Sequence, residues 1–157
     1  MIVRNQNERG AAMNKQEILE FCNNNLAFFL ATVDGKEPRV RAMLLYKADE
    51  DGIVFHTGPF KEVYQQILDN PNVQLCFYNQ QQNLQIRIRG KLEMTNDRAI
   101  KEEIASHPTR AFMQGWKADG KSEEAFYSMF SVFRLANGIA NVWTFESNFK
   151  PKEDIAL

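Results

Sequence analysis

The 157-residue chain contains only two cysteines, Cys22 and Cys76, and two histidines, His56 and His107. They are too few and too scattered for a structural zinc site or a disulfide scaffold, and no metal ligand set is expected. Each cysteine is expected as a reduced thiol, which fits a cytoplasmic protein. No stretch reaches the ~18 apolar residues of a membrane-spanning helix. The first twelve residues, MIVRNQNERGAA, are polar and lack the apolar segment of a secretory signal. They read as a leader or upstream extension, with residues 13–157 forming a single domain. Also missing are a Gly-rich phosphate loop, GxGxxG, HExxH and GxSxG, so metal catalysis and acyl transfer have no support. Nor does charge of one sign dominate. Nineteen Lys and Arg against twenty Asp and Glu leave a net charge of −1, so no global field draws the chain to nucleic acid or an anionic membrane. An anion site must be local.

What is abundant is phenylalanine, with twelve, in a chain 44% hydrophobic and 25% charged. That composition is globular, and its rings imply an aromatic core or interface. Asn14 and Glu17 form a capping-box pattern ahead of a helix over 15–24. Leu26 to Val33 reads as a buried strand, Asp34-Gly35 as a hairpin turn, and Pro38 to Tyr46 as the returning strand. Ile53 to His56 is a short strand. Thr57-Gly58-Pro59 predicts the opening of a helix that runs to Asp69, with a capping hydroxyl and a proline near its first position. Val73 to Tyr78 and Leu84 to Met94 are strands, the second alternating Leu84, Ile86 and Ile88 against Gln85, Arg87 and Arg89. A helix over 97–106 precedes a helical or irregular excursion to Gly120. Tyr127 to Ala136 and Ile139 to Phe145 flank Asn137-Gly138, the strongest two-residue hairpin signal in the chain. The final dozen residues are polar and expected on the surface. Six or seven strands joined mainly by hairpins, with about four helices, predict a mainly β, antiparallel barrel with peripheral helices.

Pro38 to Lys61 carries the candidate chemistry. A cation in the first turn of a helix is unfavourable unless an anion sits beside it, and Lys61 is predicted there. Arg41 lies on a largely apolar strand, where it either holds an anion at the barrel mouth or faces water. An Arg fork, a Lys and a helix N-terminus together would hold a phosphate dianion. Thr57 would cap the helix and could also donate to the phosphate. Arg39 reads as solvated, as do Lys91 and Arg87, and His107 as a helix-end residue. His56 is either a satisfied strand-end histidine or a proton relay. Trp116 and Trp143 read as core or interface rings.

The segments LAFFLATVDGKEPRVRAM, IVFHTGPFKEVYQQI, NPNVQLCFYN and LQIRIRGKLEM, in that order, resemble the pyridoxamine 5′-phosphate oxidase-like superfamily of FMN-binding split barrels. The resemblance covers residues 18–94 well and the last strands loosely. It implies that Arg41, Thr57 and Lys61 contact the FMN phosphate, that Ala42 and Met43 run past the isoalloxazine ring, and that His56 and Gln85 border it. It further implies a homodimer with two flavins at its interface, where Trp143 of the second subunit would approach. The C-terminal Arg-x-His substrate motif of pyridoxamine phosphate oxidase has no match after Asn137, so that oxidation is not expected. FHTG looks more like the nitroimidazole-resistance branch, which would place His56 at the flavin as a proton donor.

The expectation is therefore an FMN-dependent oxidoreductase passing electrons from a small-molecule donor to a small planar acceptor such as a nitroimidazole. Two alternatives stand beside it: a flavin-binding redox or stress-response protein without turnover, and a small barrel that binds RNA through Arg39, Arg41, Arg87 and Arg89. FAD, a deazaflavin or haem in the same groove also stays open.

Overall fold

A computed structural model describes residues 12–95 and 97–157. The leader assigned to residues 1–12 therefore lies, except for Ala12, outside the described residues. Helix α1 (Lys15–Asn24) starts at the predicted capping box: the Asn14 side chain accepts from the Glu17 amide and Glu17 accepts from the Asn14 amide, both at 2.9 Å. The strands are β1 (Ala27–Asp34), β2 (Glu37–Asp49), β3 (Gly52–Thr57), β4 (Asn72–Asn79), β5 (Leu84–Met94), β6 (Ser131–Leu135), β7 (Ile139–Trp143) and β8 (Ile155–Ala156). Between them lie α2 (Glu62–Asp69), α3 (Arg98–Ser106), a 3₁₀ turn over Pro108–Arg110, α4 (Met113–Lys117) and α5 (Glu123–Tyr127). All pairings are antiparallel. They run β4-β1-β2-β3-β6-β5 and close through β4–β5 into a six-stranded barrel, with β7 and β8 added outside. The split-barrel expectation holds, and closure removes the free edges that an open sheet would leave.

Period-two alternation decides what fills the barrel. Phe28, Leu30, Leu45, Phe55, Leu75, Phe77, Ile86, Ile88 and Phe133 are all buried at 1% exposure or less. The Phe28 ring stacks on Phe77 (centroids 5.1 Å) and meets Phe55 edge-on (5.5 Å). A second core lies outside the barrel wall, where outward-facing Tyr46, Val54 and Val132 are covered by Ile104, Met113, Phe126 and Phe130 from the α3–α5 excursion. The helices that interrupt the strand pattern thus roof one side of β2, β3 and β6.

Three local expectations are corrected. Asn137-Gly138 makes no hairpin. Residues of β6 and β7 both run antiparallel to β5, with Leu135 opposite Leu92 and Ile139 opposite Arg89, so the chain continues along one neighbour through a bulge of one extra residue. Asn137 takes the left-handed conformation (φ 55°) that this bulge needs. A Cβ on Gly138 would stand 2.6 Å from Leu135 Cδ2 and 2.8 Å from Ile88 Cγ2, so both residues are explained without a turn. The strand also begins only at Ser131, because Glu123–Tyr127 is helical. Finally, part of the C-terminal stretch is ordered onto the sheet: β8 pairs with β7, and the Leu157 amide donates to the Gly138 carbonyl at 2.9 Å.

The turn before β3 carries a clear backbone constraint. Gly52 has φ 130°, and a Cβ there would lie 2.5 Å from the Leu135 carbonyl oxygen. Gly52→Ala is expected to cost about 1–3 kcal/mol, through both a disfavoured φ and a clash with backbone that has no rotamer to escape into. Urea unfolding would read this as a lowered midpoint; an unchanged midpoint would mean that β3 and β6 separate without cost.

Candidate functional site

The strongest candidate is a cavity of about 510 Å³ where β2 and β3 meet the helical roof, lined by Ala42, Met43, Leu44, His56, Thr57, Gly58, Phe60, Lys61, Phe112, Trp116, Met129 and Phe130. The volume falls within the roughly 300–1,000 Å³ of small-molecule sites. Ala42, Met43, His56, Thr57 and Lys61, five residues singled out in the sequence, share this wall. They converge because β2 and β3 are paired, with Leu45 opposite Phe55, which sets the end of β3 and the chain that turns into α2 beside the middle of β2.

That turn differs from expectation. Thr57 is the last residue of β3 and is buried; it is not a helix cap, and Pro59 is not a first helical residue. The helix starts at Glu62, five residues beyond Thr57, and Lys61 occupies the N-cap position with extended backbone (φ −91°, ψ 146°) and no side-chain cap bond. The Lys61 amide donates to the Gly58 carbonyl at 3.1 Å, so a tight turn separates the strand from the helix. Lys61 has no ion pair among the described residues, and no Asp or Glu lines the cavity.

Arg41 is half-buried behind this wall and is not among its lining residues. Its guanidinium donates to Thr32 Oγ1 (2.6 Å), Gln66 Oε1 (2.6 Å) and the Leu30 carbonyl (3.2 Å), and Gln66 Oε1 also accepts from the Thr32 hydroxyl at 2.7 Å. Burial lowers its pKa from the usual arginine value, Glu62 opposes that shift and Arg39 adds to it. The arginine is thus anchored to β1 and α2. Arg39 is tied to Glu37 (2.8 Å) and Asp34 (3.3 Å) at the surface, as expected. Gln85 and Trp143 face each other across β5 and β7. In the closed barrel β5 lies opposite β2, with two strands between them in either direction, and neither residue lines this cavity within one chain. Trp143 Nε1 donates to Asn148 Oδ1 at 2.9 Å. Arg87 beside them is less solvated than expected: its buried Nε has no partner among the described residues.

The surprise is Arg110. It is fully buried, at 0% exposure, yet has no carboxylate partner among the described residues. Its Nε donates to His56 Nε2 at 2.9 Å, and its terminal nitrogens reach the Leu45 carbonyl (2.6 Å), the Leu44 carbonyl (3.4 Å), and the Thr109 hydroxyl (3.1 Å) and carbonyl (3.3 Å). An arginine can only donate, so His56 Nε2 accepts and the ring proton sits on Nδ1. Burial first, then the charges of Arg110 and Lys61, push the His56 pKa down to about 4. The ring is neutral at pH 7, whereas the sequence-based proton-donor role assumes a readily protonated one. No spacing signal could have exposed Arg110, because its partners His56 and Leu45 lie 54 and 65 residues away.

The sequence profile of the pyridoxamine 5′-phosphate oxidase family matches residues 15–137. The chain belongs to this family. A pyridoxine/pyridoxamine 5′-phosphate oxidase of Bradyrhizobium sp. (strain BTAi1) is 34% identical over 104 residues, covering 66% of this chain and 46% of that protein. The chain thus spans about half the length of the curated relatives it matches. Among solved structures, a NimC/NimA family protein from Clostridium acetobutylicum superposes with a TM-score of 0.69 at 22% identity, over 90% of this chain and 92% of the other. A pyridoxamine 5′-phosphate oxidase-related, FMN binding protein from Nostoc punctiforme gives 0.65 at 19% identity, over 94% and 97%. These likenesses establish the split-barrel fold. In this setting the four arginines that an RNA surface would need are dispersed: Arg39 and Arg89 are ion-paired, Arg41 is anchored, and Arg87 lies on the opposite side of the barrel from Arg41.

Proposed function

We propose that the chain is an FMN-dependent oxidoreductase whose 510 Å³ cavity holds the flavin and a small planar acceptor such as a nitroimidazole. The observation that carries this reading is Lys61, a cation without an ion pair among the described residues, in an apolar wall without acids, set one residue before α2 and lining the same cavity as Thr57. That combination fits an FMN: a flat apolar ring against Ala42, Met43 and Phe130, and a phosphate against Lys61, the Thr57 hydroxyl and the amides opening α2. Arg41 would complete the phosphate site by letting go of Gln66. FMN, when bound, supplies electron transfer in one- or two-electron steps. The protein binds and orients it, and the aromatic roof of Phe112, Trp116 and Phe130 excludes water. His56 contributes a neutral imidazole with Nδ1–H available for a hydrogen bond.

The outer face of β1 and β2 supports a homodimer. Phe29 (53% exposed), Val40 (69%) and Leu44 (40%) form a contiguous apolar surface, with Phe29 opposite Ala42 and Ala27 opposite Leu44, continued at the cavity rim by Phe60 (77%). Gln85 and Trp143, which do not line the cavity of their own chain, would border the flavin as residues that a second copy presents to it. The short, partly exposed apolar set suits an interface better than solvent.

A purified sample should be yellow or should take up added FMN, and the reduced protein should be reoxidised by a nitroimidazole faster than free reduced FMN. Binding without acceleration would leave a flavin-binding protein without turnover, and a colourless protein that ignores FMN would remove the proposal. Lys61→Ala is expected to weaken FMN binding by about 1.5–3 kcal/mol, a charge-assisted hydrogen bond lost, measured by flavin fluorescence titration. An unchanged affinity would place the phosphate elsewhere.

A further inference from the structure

Two features of the cavity are left unused by flavin binding alone. The first is the charge of Arg110, buried against the cavity's back wall and answered among the described residues by neutral groups: an imidazole nitrogen, two strand carbonyls, the Thr109 hydroxyl and carbonyl, and the Tyr46 ring, whose centroid lies 5.6 Å from the guanidinium carbon. Burying an ion without a counter-ion is costly, and such a charge persists where a ligand supplies the opposite sign. Glu103 makes no hydrogen bond or ion pair with Arg110; it accepts from the Tyr46 hydroxyl at 2.7 Å and lies 3.8 Å from Lys47 Nζ. The second is His56 Nδ1. With Nε2 committed to Arg110, Nδ1–H is the remaining donor of a cavity-lining residue, and it has no partner among the described residues. Around it stand Phe130, meeting the imidazole edge-on at 5.4 Å, and the exposed Phe112 and half-buried Trp116, 5.7 Å from each other.

We propose that this part of the cavity takes the carboxylate of a small planar aromatic acid, with His56 Nδ1–H as its hydrogen-bond donor and Arg110 as the positioning residue that fixes that donor and supplies the positive field. The inference names the substrate class for the acceptor pocket of the preceding section and rests on that reading for its link to redox chemistry. The ring lies among Phe112, Trp116 and Phe130, and the carboxylate meets a neutral donor backed by a permanent cation. Arg110 does this from a 3₁₀ turn whose geometry is set by His107, which caps it by accepting from the Thr109 amide. The charged groups acting on His56 are Arg110 from that turn and Lys61 ahead of α2; Phe130 packs the remaining side.

Calorimetric titration of benzoate and of its neutral isostere benzamide into the full chain tests this, with FMN present and after its removal. Benzoate is expected to bind at least tenfold more tightly than benzamide. His56→Phe, which keeps the ring contact with Phe130, and Arg110→Met should each erase that preference, and Arg110→Lys should restore part of it. Between pH 8 and pH 6 the wild-type benzoate affinity should be flat, because His56 stays neutral. In Arg110→Met the charge is gone but the burial that dominates the lowering of the His56 pKa remains, so the benzoate affinity should stay flat over this range while its advantage over benzamide is lost. Equal binding of benzoate and benzamide to the wild type, no saturable heat from either, or an undiminished preference in Arg110→Met would overturn the proposal; should that variant fail to fold, His56→Phe decides it. Failure to take up FMN would instead sink the flavin reading while leaving the benzoate titration readable on the flavin-free chain.

Discussion

Truncating Phe28 to alanine is expected to cost about 3–5 kcal/mol, a large part of the 5–15 kcal/mol that holds a typical domain folded. Phe28 is 1% exposed and lies between two other buried rings, stacked on Phe77 and edge-on to Phe55. Its removal loses apolar burial, two ring–ring contacts and the packing of three barrel strands, because β1, β3 and β4 meet through these side chains. The cavity cannot collapse easily, since closed pairing on both edges of each strand keeps the backbone apart. The expected result is a urea midpoint far below wild type, or a chain unfolded at 37 °C. Phe28→Leu, which keeps most of the volume, should lose much less. Equal losses in both variants would mean that ring geometry, not volume, sets the cost.

The second large effect is acid destabilisation through His56. An unfolded histidine takes a proton near pH 6.5, whereas the folded ring is held down to about pH 4 by burial and by Arg110 and Lys61. Between those values the unfolded state binds a proton that the native state refuses. Stability from this group is therefore complete above pH 6.5 and falls as the pH drops toward 4. The full difference is about 3 kcal/mol, taking ~1.4 kcal/mol per pH unit. Other groups titrate in the same window, so the measurement is a difference: wild type and His56→Phe are unfolded by urea from pH 7 to pH 4. The wild type should lose about 3 kcal/mol more than the variant. Parallel pH profiles would show that His56 protonates freely in the native state, which would also remove the basis for its fixed tautomer.

Much of the fold was legible along the chain because it depends on local rules. The capping box of Asn14 and Glu17, the Asp34-Gly35 turn and the alternation of Leu84, Ile86 and Ile88 each report their structure within a few residues. Where a neighbour outside the segment decides, the local signal misleads. Asn137-Gly138 carries hairpin chemistry, but the same left-handed asparagine and side-chain-free glycine serve a bulge once β5 is available to pair with residues on both sides. Thr57 and Pro59 look like a helix start, yet pairing with Ser131 extends β3 through Thr57, and the helix waits until Glu62.

The candidate site divides the same way. The family resemblance set Ala42 and Met43 beside His56, Thr57 and Lys61, and the pairing of β2 with β3 keeps all five close in the fold. By itself, the sequence determined that this chain folds as a closed antiparallel barrel, with a local rather than global positive site at the end of β3, because side-chain periodicity and turn chemistry are short-range. Only the tertiary structure decided that Arg41 is anchored behind the cavity, that Gln85 and Trp143 lie on the far side of the barrel, and that a buried Arg110 fixes His56 as a neutral ring. Those outcomes depend on which distant segments pack together in low dielectric, where hydrogen-bond geometry and desolvation, not spacing, set each group's state.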